Sequence, residues 1–333
     1  MRPLFLAVCS FGMSLLCVCG PASAAQPANA VIHPGAVWLD TQGQPIEAHG
    51  GGVIRVHHRF YWVGEDRTQG LDPAKRYVSC YTSGDLVHWK HHPDALVLDD
   101  PEHLGPRWVL ERPKIYAPAD GSQFVMYFHL DDSHYKLARV GIAVSRKPCG
   151  PYRYVRSFRP LDQESRDIGQ FVDDDGTAYL IFESRPTRGF FIARLTLDHL
   201  GVAAKVSFVP APLEGGALVH LGDWYYVIGS HMTGWKPNPD VYAVARSIEG
   251  PWSAFENMAP PEKNTYGSQP TMLLKLTGTT TTSVIYMGDI WKPRMLWDSR
   301  YLWMPLTLGD GKLALPEPAP WSVNAKTGVT KLQ

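Results

Sequence analysis

The sequence predicts an all-β protein, a single five-bladed β-propeller, and three observations carry that expectation. The 333 residues include 28 Pro and 30 Gly, spread along the chain, and both residue types interrupt long helices. No stretch keeps a helical hydrophobic period over roughly 11 residues or more. Short aromatic strands recur five times, each followed by a second apolar strand. Repeated strand units of this kind cannot bury both faces alone, and radial stacking satisfies them. A two-sheet sandwich is the competing all-β arrangement, but five similar units fit radial repetition better.

The aromatic strands are expected at Arg59–Gly64, Gln123–Phe128, Thr177–Phe182, Trp224–Gly229 and Ser283–Gly288. Turn signals precede three of them: Asp120-Gly121, the run Asp173–Gly176, and Gly222-Asp223. Their partner strands are expected at Tyr77–Tyr81, Val140–Val144, Phe190–Arg194, Val241–Ala245 and Arg300–Met304. Three of these run into related endings, Asp85–Trp89, Gly150-Pro151-Tyr152 and Gly250-Pro251-Trp252.

Ahead of the strands, Arg2 precedes an apolar run from Leu4 to Cys19 and a small-residue stretch ending Ala22-Ser23-Ala24. This pattern reads as a secretory signal over residues 1–24, leaving residues 25–333 as one domain in the periplasm or the medium. The 16 apolar residues fall short of a membrane span, which needs about 20. Bulky Leu16 and Val18 fit a lipoprotein cut poorly. Of five cysteines, Cys80 and Cys149 remain after cleavage, and their pairing stays open. No cysteine pair has metal-binding spacing.

Lys plus Arg and Asp plus Glu balance at 32 each, without a basic run. This argues against a nucleic-acid groove or an anionic-membrane patch. Eleven Trp and fifteen Tyr supply surface for weakly polar ligands such as sugars.

Several polar residues sit near strand entries. Glu214 precedes an apolar run, where burial raises a carboxyl's pKa as a general acid requires; a solvated turn glutamate is the alternative. Asp167 follows Arg166, and these residues by themselves favour a structural Arg–Asp pair or a turn role. Glu111, Arg112 and Lys114 crowd charge around Pro113 beside apolar Ile115, so they are paired or face a wet cavity. His49-Gly50-Gly51-Gly52 lets backbone approach a ligand or a neighbouring strand closely. Gln269 is uninformative alone. The run Asp173–Asp175 reads as a solvated turn, without the alternating ligand spacing of a calcium loop. His57, His58, His91, His92, His129 and His134 lack zinc-protease spacing and read mostly as surface residues. No nucleophile elbow or phosphate loop is present.

Taken together, Ser83–Trp89, Phe171–Gly176 and Glu214-Gly215 followed by Trp224-Tyr225-Tyr226 resemble glycoside hydrolase family 43. The galactan 1,3-β-galactosidase branch is the most similar. Ala48–Gly52, Glu111–Lys114, Ser165–Asp167, Thr233–Asn238, Ser268-Gln269 and Ser299–Leu306 carry that likeness. The resemblance implies a five-bladed propeller and inverting hydrolysis. Glu214 then matches the general acid and Asp167 the carboxylate that tunes and orients it. The first-blade Asp that serves as base in many members is absent. Gln269 and Glu111 match residues that help position water or substrate, although a neutral amide is a poor base. Glu47 ranks lower as a substitute, on the expectation that alternation turns it away from the neighbours of His49. Arg112 and Arg166 are expected to bind sugar hydroxyls or orient carboxylates. His49, Gly50, Trp235 and Trp291 are expected to shape the closed end of a pocket.

The resulting expectation is an exported, monomeric hydrolase that releases galactose from the non-reducing end of β-1,3-linked galactan or a related glycan. Its partner is an oligo- or polysaccharide. The alternatives are a hydrolase of arabinofuranosides or galactofuranosides on the same fold, and a sugar-binding propeller without catalysis. No cofactor is expected; the resemblance admits a structural Ca²⁺, but no ligand set is visible and none is assigned.

Overall fold

In the computed structural model, residue 1, residues 31–117 and residues 122–333 are described. The leader beyond Met1 and the Asp120-Gly121 turn lie outside the described residues. Each aromatic run forms the second strand of its own antiparallel sheet, and each partner run forms the third. The first sheet is His49–Val56, Arg59–Glu65, Arg76–Ser83 and Lys90–Leu98. The second is Val109–Tyr116, Phe124–Asp131, Arg139–Ser145 and Arg153–Phe158. The third is Ile168–Val172, Ala178–Ser184, Gly189–Leu195 and Val202–Pro210. The fourth is Leu213–Leu221, Trp224–His231, Val241–Ala245 and Glu256–Asn257. The fifth is Gln269–Thr277, Thr282–Ile290 and Arg300–Pro305.

The first strands of consecutive sheets touch one another, and Gln269–Thr277 returns to His49–Val56. Their central side chains converge: a Cβ on Gly52 would meet Lys114 Cδ at 2.8 Å, Gln170 Oε1 at 3.4 Å and Met272 Sδ at 3.5 Å. Between the sheets lie apolar layers. Trp62 and Trp303 meet at 4.7 Å between ring centroids, Trp62 and Tyr301 at 4.8 Å, Trp62 and Trp89 at 5.2 Å. The indole N–H of Trp89 donates to Leu86 O and that of Trp321 to Trp303 O, so the polar tips of these buried rings are satisfied.

Two features tie the sheets together. Cys80, in the third strand of the first sheet, is bonded to Cys149 in the turn after the third strand of the second, with Cα atoms 5.4 Å apart. This settles the pairing that the sequence leaves open. Ahead of the first sheet, Val31–Ile32 pairs with Trp321–Asn324, which also pairs with Val329–Leu332.

The first strands are irregular near their entries. Register shifts against the second strand fall between His49 and Gly52, Glu111 and Lys114, Glu214 and Ala217, and Pro270 and Met272. A bulge removes a residue from the ladder and re-aims its neighbours. Gly50, Arg112 and Gly215 take positive φ of 58°, 53° and 65° at three of these bulges. At Arg112 that conformation is uncommon for a residue with a side chain and is held by surrounding contacts.

Candidate active site

Strand ends and adjoining loops of the five sheets surround one cavity of about 300 Å³, with charged side chains from the first four and Gln269 and Trp291 from the fifth. Glu111, Arg112, Asp167, Glu214, Gln269, Trp235 and Trp291 line it. Arg112 is its hub. The backbone N–H of Arg112 donates to Glu65 Oε1 at 2.9 Å, which pins the bulge. The guanidinium contacts Asp167 Oδ2 at 2.9 Å and donates to Gln269 Oε1 at 2.6 Å and Pro270 O at 2.8 Å. One side chain therefore locks the second, third and fifth sheets together. Asp167 pairs with this arginine rather than with adjacent Arg166.

Glu214 is 8% exposed. Burial pushes its carboxyl up to about 8, and the like charges of Asp167 and Glu183 add to the rise, while Arg112 and Arg185 oppose it. Asp167 Oδ2 accepts the N–H of Gly215, the residue after Glu214, at 2.9 Å. Gln269 Nε2 donates to Glu214 Oε1 at 3.0 Å. Gln269 Oε1 accepts from Arg112 and from Trp291 Nε1 at 2.9 Å. Two donors on its oxygen hold Gln269 as an ordinary amide whose NH₂ faces the acid.

Glu111 behaves oppositely. Burial disfavours its charge, but the His129 hydrogen bond and charge, Arg67 and Tyr135 prevail and hold it down at about 2. Tyr135 Oη donates to Glu111 Oε1 at 2.8 Å; His129 bridges Glu111 Oε2 at 3.3 Å and Asp131 Oδ2 at 2.9 Å. His129 is 1% exposed, so its reading as a surface histidine is corrected: two carboxylates compensate the burial of its ring and raise it to about 9.

His49 and Gly50 lie beneath the cavity wall. His49 is fully buried between Asp289 Oδ1 at 3.0 Å and Glu47 Oε2 at 3.4 Å, with Tyr301 stacked at 4.9 Å and Trp291 at 5.6 Å. Burial opposes its protonation, yet the Asp289 hydrogen bond and the adjacent Glu47 carboxylate raise it to about 9. The expectation that Glu47 turns away from His49's surroundings is corrected, because residues two apart on an extended chain share a face. Gly50 N–H donates to Asp289 Oδ2 at 2.8 Å, and its carbonyl accepts from buried Lys114 Nζ at 2.6 Å. Arg166 sits behind the wall, its guanidinium carbon 5.9 Å from the Tyr135 ring and Nη1 3.9 Å from Asp131 Oδ2.

Sequence reading missed Glu65, Tyr135, Arg185, Ser230 and Asn238 in the cavity wall. One signal was available. In four sheets a carboxylate stands at or next to the end of the aromatic second strand: Glu65, Asp131, Glu183 and Asp289. Two of them cap the bulge of the following sheet, Glu65 at Arg112 N and Asp289 at Gly50 N.

The profile of glycosyl hydrolases family 43 matches residues 48–282. Among solved structures, the chain is similar to the exo-β-1,3-galactanase of Phanerochaete chrysosporium with β-1,3-galactotriose. That match has 41% identity over 92% of this chain and 71% of the other, with a TM-score of 0.85. An exo-β-1,3-galactanase from Clostridium thermocellum matches at 33% identity over 91% of this chain and 69% of the other, with a TM-score of 0.83. No curated protein matches the chain.

Proposed function

Because the chain belongs to glycosyl hydrolases family 43, we propose that it is an exported, inverting, exo-acting hydrolase that releases galactose from β-1,3-linked galactan. The observation that carries this reading is a buried Glu214 pushed up to about 8 in the wall of a small cavity. A carboxyl with that affinity is protonated at neutral pH and ready to donate. About 300 Å³ lies at the small end of ligand pockets, which suits a single terminal sugar. The cyclic contact of the first strands supports reading the five sheets as blades of a five-bladed β-propeller. The Cys80–Cys149 bond suits an oxidising compartment and supports export after cleavage at Ala24.

Glu214 is the general acid. Its Oε1 accepts from Gln269, whereas Oε2 has only the longer 3.5 Å contact with Arg185 Nη2 and is the oxygen that carries the proton toward the leaving oxygen. Asp167 orients it through the Gly215 N–H and through Arg112. Glu111, held ionised by His129, positions the attacking water on the other side of the sugar and accepts the proton that water gives up. Gln269 is a positioning amide rather than a base. Trp291 and Trp235, in an edge-on pair at 5.8 Å, offer faces to the apolar C–H patch of a galactose. The enzyme is proposed to act as a monomer without a cofactor.

The test is to incubate the protein with aryl β-galactopyranoside, aryl α-arabinofuranoside and β-1,3-galactan and follow the released sugar by NMR. Early α-galactose is expected. Early β-galactose overturns inversion, arabinose alone overturns the choice of sugar, and glycan binding without release moves the protein to a sugar-binding role.

A further inference from the structure

Three carboxylates, Asp167, Glu183 and Glu214, present oxygens within 4.8 Å of one another. The proposed chemistry uses two of them. Glu183 ends the second strand of the third sheet and is 1% exposed. In the first and fifth sheets the carboxylate at this place caps the next sheet's bulge. In the third, Asp167 has taken over that duty at Gly215 N. Glu183 is thereby left with Arg185 Nε on Oε1 at 2.9 Å, while Oε2 is buried with no hydrogen-bond partner among the described residues. Arg185 Nη2 also reaches Glu214 Oε2 at 3.5 Å, so one guanidinium bridges the two glutamates.

A buried carboxylate oxygen without a donor is costly, and two like charges at this range resist ionising together. Protonating one member of the pair removes both costs, and Arg185 then balances the charge of the other. We propose that Glu183 is a positioning residue that shares one proton with Glu214 and so keeps the acid loaded at pH values where a solvated glutamate is ionised. This rests on the reading of Glu214 as the general acid. The charged groups facing the pair are Asp167 at the entry to the third sheet, Arg112 from the second and Arg185 beyond the second strand of the third; His129 lies farther off. Burial, then Asp167, raise Glu183 against the pull of Arg185, the same direction as Glu214. Coupled sites of this kind titrate as a pair rather than singly.

Glu183→Gln tests the sharing. It removes the like charge and the second seat of the proton, so the basic limb of the kcat/KM profile should move to lower pH by about one unit or more. Turnover below that limb should persist. An unmoved basic limb overturns the proposal. A second measurement does not need that variant to fold. With ¹³C-labelled glutamate carboxyls, Glu214→Gln should shift the titration of Glu183 to lower pH; a Glu183 titration indifferent to Glu214 overturns the sharing. Turnover in Glu214→Gln separates the two readings. If it stays near wild type, the acid assignment itself fails. If it is lost while Glu183→Gln leaves the limb in place, only the sharing fails.

Discussion

At the seam between the first and fifth sheets, Trp62, Trp89, Tyr301 and Trp303 fill the space with rings, and position is set by contact area. At the cavity, Arg112, Asp167, Glu214 and Gln269, from the second to the fifth sheets, hold one another by individual hydrogen bonds and an ion pair. Ring packing sums many weak contacts, so a displacement there costs stability alone. At the cavity a displacement also changes proton affinity, because neighbouring charges tune Glu214. The difference teaches that stability and chemistry are separable along one set of strands.

Two substitutions test that separation. Glu214→Gln should lower kcat by about 10²–10⁴-fold, the range for a lost general acid, while the thermal midpoint holds or rises, because a carboxyl disfavoured by burial is gone. A midpoint falling as for a core residue would break the comparison. Trp303→Ala should do the reverse, costing about 3–5 kcal/mol of stability with turnover per folded molecule retained at low temperature. Calorimetry alongside rate measurements reads both sides.

The smallest effect concerns pH. His129 is raised from 6.5 to about 9, so its stabilisation is complete below pH 6.5 and is lost as pH rises through about 9. Glu111 is depressed from 4.5 to about 2, so its contribution is present above pH 4.5 and lost as pH falls through about 2. The wild-type midpoint should therefore fall between pH 6.5 and 9, and His129→Asn should make that fall shallower. His49, also raised to about 9, keeps part of it. An identical slope in both proteins would remove His129 from the account.

The aromatic second strands and their partners are legible in the sequence because local alternation and turns set them; Val241–Ala245 appears residue for residue. The first strands are harder to read. Gly50, Arg112 and Gly215 break their alternation with positive-φ bulges, and the bonds that justify those bulges come from other sheets. His129 illustrates the same limit. Its ring is stabilised by Glu111 across a strand pair as much as by nearby Asp131, and no local pattern reports a cross-strand charge. Asp167 and Glu214 stand out only as carboxylates at strand entries, and their relation passes through Arg112 and Gly215 rather than through sequence proximity.

The pairing of Val31–Ile32 with Trp321–Asn324 sets an order of events. Val31 meets its partner Ser322 only after every sheet between them has been synthesised, so this pairing cannot form while the rest of the chain is still emerging. Closure joins the most distant parts of the chain, and contacts of such long sequence separation form slowly. The pairing that spans the five sheets is therefore among the last the chain can make as it emerges.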